Sequence, residues 1–150
     1  MLKIKYLENA NPELAEFVSF EFKKYEAKNG VTANFKQFNI VAEKYNTIVG
    51  ILSGRVFYTE INIDEIIVLE QFRGEGIGRK LIEKLEGFYE DKEFETISLT
   101  TYQFQAFEFY KKCGYQLEFI RENKNNPKFT KYFFVKYIRT CIQKDQNTQF

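Results

Sequence analysis

Three glycines in five positions, Gly74, Gly76 and Gly78, separate a strand-like run, "INIDEIIVLE", from a helix-like run, "GIGRKLIEKLEGFYEDK". β-Branched residues crowd the first run, while Ile77, Leu81, Leu85 and Phe88 recur in the second at helical spacing. Glycine accepts positive φ and lets another group approach the backbone closely. A helix beginning there offers unpaired N–H groups and the positive end of its dipole. A strand, a glycine loop and a helix in that order imply an α/β fold with an anion site at the junction, most naturally for phosphate.

The rest of the chain extends this pattern. "LKIKY" alternates as a short strand, and "NPELAEFVSFEFKKYEAKNG" reads as a helix with Asn11 as N-cap, Pro12 at its first position and Gly30 as its stop. Three antiparallel strands are expected near 38–45, 48–58 and 61–69, with turns at Asn46–Thr47 and Thr59–Asn62. After the amphipathic helix come a strand in "FETISLTTY", a short helix in "QFQAFEFYKKCG" ended by Gly114, and strands in "YQLEFIRE" and "FTKYFFVKYI". Residues 139–150 read as a frayed tail. The order β-α-β-β-β-α-β-α-β-β describes one mixed α/β domain spanning 1–150.

Composition narrows the chemistry. The chain has 150 residues, room for one core, and 17 Phe with 10 Tyr can fill it without metal or disulfide support. Lysine and arginine number 22 against 21 acidic residues, so no global field favours nucleic acid or an anionic membrane. No run approaches the roughly 20 apolar residues of a membrane span, and no signal-peptide pattern opens the chain. Cys113 and Cys141, neither paired in a CxxC motif nor numerous enough for a disulfide framework, fit a reducing, cytoplasmic compartment. Histidine is absent, which removes Ser-His and Cys-His pairs and the commonest metal ligand. Any acid–base work falls to carboxylates, Tyr, Lys, Cys, Ser/Thr or the backbone.

Two glycine motifs can be tested letter by letter. The P-loop requires Gly-Lys-Ser/Thr, which the chain lacks, and G-x-G-x-x-G fails in both frames, at Arg79 and at Leu81. The pattern [Q/R]-x-x-G-x-[G/A] is satisfied twice, by Arg73, Gly76 and Gly78 and by Gln71, Gly74 and Gly76. The flanking "VLEQFRGEGIG" fits V-x-x-x-[YF]-R-G-x-G-[IV]-G from Val68 to Gly78, and "QFQAFEFYKKCGY" fits N-x-x-A-x-x-[FL]-Y-x-x-x-G-[FY] at Ala106, Tyr110, Gly114 and Tyr115. Gln103 stands where that pattern has Asn.

In these motifs the chain resembles the GNAT superfamily of acyl-coenzyme A N-acyltransferases over about residues 38 to 139. The resemblance implies a twisted, mixed, mostly antiparallel sheet of about six or seven strands with helices on both faces. It also implies an acetyltransferase that uses acetyl-coenzyme A, without metal, on a primary amine of a small molecule or a protein. The coenzyme would lie between two diverging parallel strands, 61–69 and 94–101, against Ile66, Ile67 and Val68. Its pyrophosphate would sit on the loop of Arg73, Gly74, Glu75, Gly76, Ile77, Gly78 and Arg79, and Gln103, Ala106 and Tyr110 would contact it from the short helix. The last three, at i, i+3 and i+7, are expected to share a helix face.

Tyr110 matches the family tyrosine that protonates the leaving thiolate. Asp64 and Glu65 are the candidate bases; simple alternation sends them to opposite faces and gives Asp64 the parity of Val68, whereas a β-bulge would switch that choice. An acyl-enzyme through Cys113 is a minor route. Two readings from other classes stay open: a coenzyme-binding regulatory module without turnover, and an interaction domain or homodimer formed through the aromatic strand "KYFFVKYI".

Overall fold

The computed structural model describes residues 1–138. The expected frayed tail 139–150, with Cys141, lies outside them. The described chain divides into two compact units, Met1–Asn34 and the remainder from Phe35.

In the first unit, α1 spans Pro12–Lys28 and starts as its sequence requires: the Asn11 side chain accepts a hydrogen bond from the Glu13 amide at 2.9 Å, and Pro12 occupies the first turn. The helix closes with the Val31 amide bonded back to the Glu26 carbonyl at 2.9 Å and that of Gly30 to Ala27 at 3.1 Å. "LKIKY" forms no strand: residues 1–8 carry no regular structure. Alternation alone does not make a strand, because the hydrogen bonds of a strand come from a neighbour.

The second unit is a six-stranded sheet with order β1-β2-β3-β4-β6-β5. Its strands are β1 (Lys36–Lys44), β2 (Thr47–Phe57), β3 (Glu60–Val68), β4 (Thr96–Tyr102), β5 (Gln116–Arg121) and β6 (Lys131–Tyr137). All neighbours are antiparallel except β3 and β4. Tyr45 and Asn46 both take positive φ, 51° and 58°, the geometry of a two-residue hairpin whose twist suits the flanking strands.

Helices α2 (Ile77–Tyr89) and α3 (Phe107–Lys112) connect the later strands and both pack on one face. Leu81, Ile82 and Leu85 of α2 are buried against Leu52, Ile61, Ile97 and Phe134 of the sheet. Phe107 of α3 stacks on Tyr132 at 4.5 Å, and Tyr110 packs on Phe134 at 5.9 Å. Because Tyr132, Phe134 and Lys136 share parity on β6, and Lys136 bonds Glu86 of α2 at 2.9 Å, the two helices occupy the same side.

Gly114 ends α3 with φ +88°, a left-handed conformation that glycine adopts without a side-chain clash. The Tyr115 amide then bonds the Tyr110 carbonyl at 3.0 Å and aims the next side chain inward. There Tyr115 Oη donates to Glu86 Oε1 at 3.3 Å, and Lys136 Nζ donates to the same carboxylate oxygen and to the Cys113 carbonyl.

Candidate active site

Strands β3 and β4 pair only from Glu60↔Thr96 to Ile63↔Leu99, yet β3 continues to Val68 and β4 to Tyr102. Beyond Ile63 and Leu99 the two strands part. The wedge so formed opens into a cavity of about 750 Å³ floored by Ile66, Ile67 and Val68.

The glycine loop closes one side of this cavity. Gly74 and Gly76 have φ of +80° and +79°, and nothing lies within 4 Å of a Cβ built on either. The loop therefore bends where L side chains are strained and leaves open space above its backbone. The first helical bond runs from the Lys80 amide to the Gly76 carbonyl at 3.1 Å, so the amides of Ile77, Gly78 and Arg79 have no partner within α2. Gly78 differs from the other two: a Cβ there would stand 3.1 Å from the Phe109 ring, so its smallness lets α3 approach α2.

Ala106, Phe109 and Tyr110 form the opposite side. Burial pushes the Tyr110 hydroxyl up to about 12, helped by the neighbouring Cys113, so it stays protonated throughout the physiological range. The Cys113 thiol is buried and also pushed up, mainly by burial and only partly countered by Arg79. A thiol held protonated is a poor nucleophile, which weighs against an acyl-enzyme at this residue.

Most of the residues singled out in the sequence meet here: Ile66, Ile67, Val68, Arg73, Gly74, Gly76, Ile77, Gly78, Arg79, Ala106 and Tyr110 all line the wedge. Two arginines are committed to the protein itself. Arg73 Nε donates to the Val68 carbonyl at 3.0 Å, and Arg79 donates to the Lys112 carbonyl at 3.0 Å. Both brace the loop. Glu75 turns to Lys44, 2.8 Å away, and is not part of the lining.

The expected shared helix face of Gln103, Ala106 and Tyr110 does not form, because α3 begins only at Phe107. Gln103 belongs to the preceding turn, where its amide bonds the Thr130 carbonyl at 2.9 Å. The glutamine at the cavity is instead Gln105, whose Oε1 accepts from Thr101 Oγ1 at 3.1 Å and the Tyr102 amide at 2.9 Å. Phe72, Phe104, Phe109 and Lys112 also line the wedge; Phe72 and Phe109 fall on aromatic or apolar positions of the two motifs but were not named as site residues, and Phe104 and Lys112 fall on positions the motifs leave open. In a chain this rich in phenylalanine, nothing in the letters distinguishes Phe104 from core filler.

A bulge decides the carboxylates. On β3, Ile63 lies opposite Gly54 and Glu65 opposite Ser53, which leaves Asp64 as the extra residue. Asp64 Oδ1 is held by Arg55 Nε at 3.1 Å and by Asn62 Nδ2 at 2.7 Å. Since Arg55 and Ser53 share a face of β2, Asp64 and Glu65 project together, on the face turned away from α2. The expected alternation is thus interrupted, and Val68, opposite Gly50 on the helix-bearing face, no longer shares the side of Asp64. Glu65 forms no ion pair among the described residues. No cluster of carboxylates or cysteines among them could hold a metal ion, and no described helix is long and apolar enough to cross a membrane.

The model of the acetyltransferase (GNAT) family matches residues 5–115. An acetyltransferase from Bacillus cereus ATCC 14579 shares 26% identity and superposes with a TM-score of 0.71, over 89% of this chain and 97% of that one. Two further solved structures share the fold. One is an aminoglycoside 6'-N-acetyltransferase complexed with coenzyme A (TM-score 0.62, 18% identity, 93% of this chain and 98% of that one). The other is the ribosomal-protein-S18-alanine N-acetyltransferase from Escherichia coli (TM-score 0.64, 20% identity, 85% of this chain and 82% of that one). Among curated proteins no significant sequence match is found.

Proposed function

Because the chain belongs to the acetyltransferase (GNAT) family, we propose that it passes an acetyl group from acetyl-coenzyme A directly to a primary amine, with both substrates bound together. The observation that carries this reading is the convergence of the parted strands, the glycine loop and Tyr110 on one cavity. A structural neighbour holding coenzyme A in the same fold supports the donor, and neighbours named for an aminoglycoside and for a ribosomal protein support an amine acceptor.

Amides at the start of α2 bind the pyrophosphate, with the open backbone at Gly74 and Gly76 admitting it. The β3 backbone from Ile66 to Val68, unpaired towards β4, positions the thioester and offers an N–H to its carbonyl oxygen as negative charge develops. Glu65, directly or through a water, takes the proton that the amine must lose, while the Arg55 pair keeps Asp64 in place beside it. As the new C–N bond forms and the C–S bond breaks, Tyr110 gives its hydroxyl proton to the departing sulfur and is reprotonated from solvent. With its proton held up to about 12, Tyr110 is present as the neutral hydroxyl, the form a proton donor needs.

The test is calorimetric titration with acetyl-coenzyme A followed by thiol release on a panel of amines. Binding with turnover supports the reading. Binding without turnover on any amine would make the protein a coenzyme-binding module instead, and no binding would remove the wedge as a coenzyme site.

A further inference from the structure

Next to the wedge, where β4 ends, a second cavity of about 830 Å³ shares Phe104 with it. Its apolar wall is three rings: Tyr102 stacked on Phe104 at 5.9 Å and 13°, with Phe129 edge-on to both at 6.3 and 6.2 Å. The rings are left 36%, 59% and 50% exposed. Arg121, Lys124 and Lys131 line the same cavity against a single acidic residue, Glu122.

The opposite wall is a pinned loop. Its Asn123 amide donates to Thr130 Oγ1 at 3.1 Å, its Asn126 amide to Asn123 Oδ1 at 2.9 Å, and the Gln103 amide ties Thr130 to the end of β4 at 2.9 Å. Tyr102 follows the buried Thr101 and so points to the face away from α2, the face that also carries Glu65.

We propose that this cavity receives the acceptor, and that the acceptor is an amine on a short arm from a planar ring bearing an anionic group. The inference rests on the acetyl-transfer reading and specifies its substrate class. The three partly exposed rings offer stacking contact to a planar group, the surplus of cations, among them Lys131 over the Tyr102 ring at 5.7 Å, attracts an anionic one, and Phe104, which borders both cavities, joins the ring site to the wedge.

The experiment compares kcat/KM for 4-(2-aminoethyl)benzoate, phenethylamine and n-butylamine with acetyl-coenzyme A, in the wild type and in Phe129→Ala. Phe129 lines the second cavity alone. Each step along that series should lose about tenfold. Phe129→Ala should reduce the two aromatic amines about tenfold more than n-butylamine, and Lys131→Gln should reduce the benzoate more than the two uncharged-tail amines. Saturation-transfer NMR of 4-(2-aminoethyl)benzoate with coenzyme A present reads occupancy without turnover. Equal rates for the three amines, or ring signals indifferent to Phe129→Ala, would overturn the proposal. Failure of the acetyl-transfer reading itself would differ, appearing as no binding of acetyl-coenzyme A or as binding without thiol release on any amine, n-butylamine included.

Discussion

Ile63 on β3 stands opposite Leu99 on β4 at the last rung of the parallel pair, and both are almost wholly buried. Past that rung the strands separate, so β3 keeps its hydrogen bonds to β2 on one edge and presents free backbone on the other. The sheet is thereby split at its centre while the core beneath it, anchored by Leu85 and Phe134, remains closed.

Gly76→Glu should abolish measurable acetyl-coenzyme A binding. The change puts an L side chain at φ +79° and a negative charge where the pyrophosphate would lie. In the wild type, ligand at 100-fold excess over Kd adds about 2.7 kcal/mol, a thermal shift of several degrees that the variant should lose.

Tyr110→Phe should lower kcat by about 10- to 100-fold with the coenzyme Kd within about twofold of wild type. The ring remains to pack on Phe134 and Tyr115. Wild-type kcat/KM should also show no descending limb below about pH 11, because the Tyr110 proton is held up to about 12. An unchanged kcat in the variant would reduce Tyr110 to packing.

Glu65→Gln and Asp64→Asn should separate the two carboxylates. The first should reduce kcat/KM near neutral pH by at least about tenfold. The second removes one partner of an ion pair that is still partly exposed, and should change stability by under about 1 kcal/mol. The reverse order, read from steady-state rates, would give the base role to Asp64.

Alkali should destabilise the fold in a defined direction. Tyr110, Tyr115 and Cys113 all hold their protons more tightly folded than unfolded, each chiefly through burial. Their contribution is whole below about pH 8.5, where unfolded thiols and phenols keep their protons, and is lost as pH rises through the folded values, about 12 for Tyr110. Urea midpoints from pH 8 to 11.5 should fall accordingly, and the slope should lessen in Tyr115→Phe.

Much of this was legible in the letters. Asn11 and Pro12 mark the start of α1, and the spacing of Ile77, Leu81 and Leu85 marks the buried stripe of α2. Gly74 and Gly76, read as a loop open to an anion, take the left-handed backbone and open surroundings that this requires. Such features depend on a few neighbouring residues: caps, φ preferences and helical period act within one or two turns of chain.

Other features were settled only by distant parts meeting. "LKIKY" alternates like a strand but takes no regular structure, whereas β3 departs from alternation because Asp64 is squeezed out of register opposite Ser53 and Gly54. Tyr110 and Gln103 lie seven residues apart as on a helix, yet the Thr130 carbonyl claims the Gln103 amide before the helix can begin. Sequence by itself determined most of the elements and the loop; tertiary structure decided the fate of "LKIKY", the start of α3, the bulge, the split and which carboxylate has no ion pair among the described residues, because strand register and side-chain pairing are set by residues far apart in the chain.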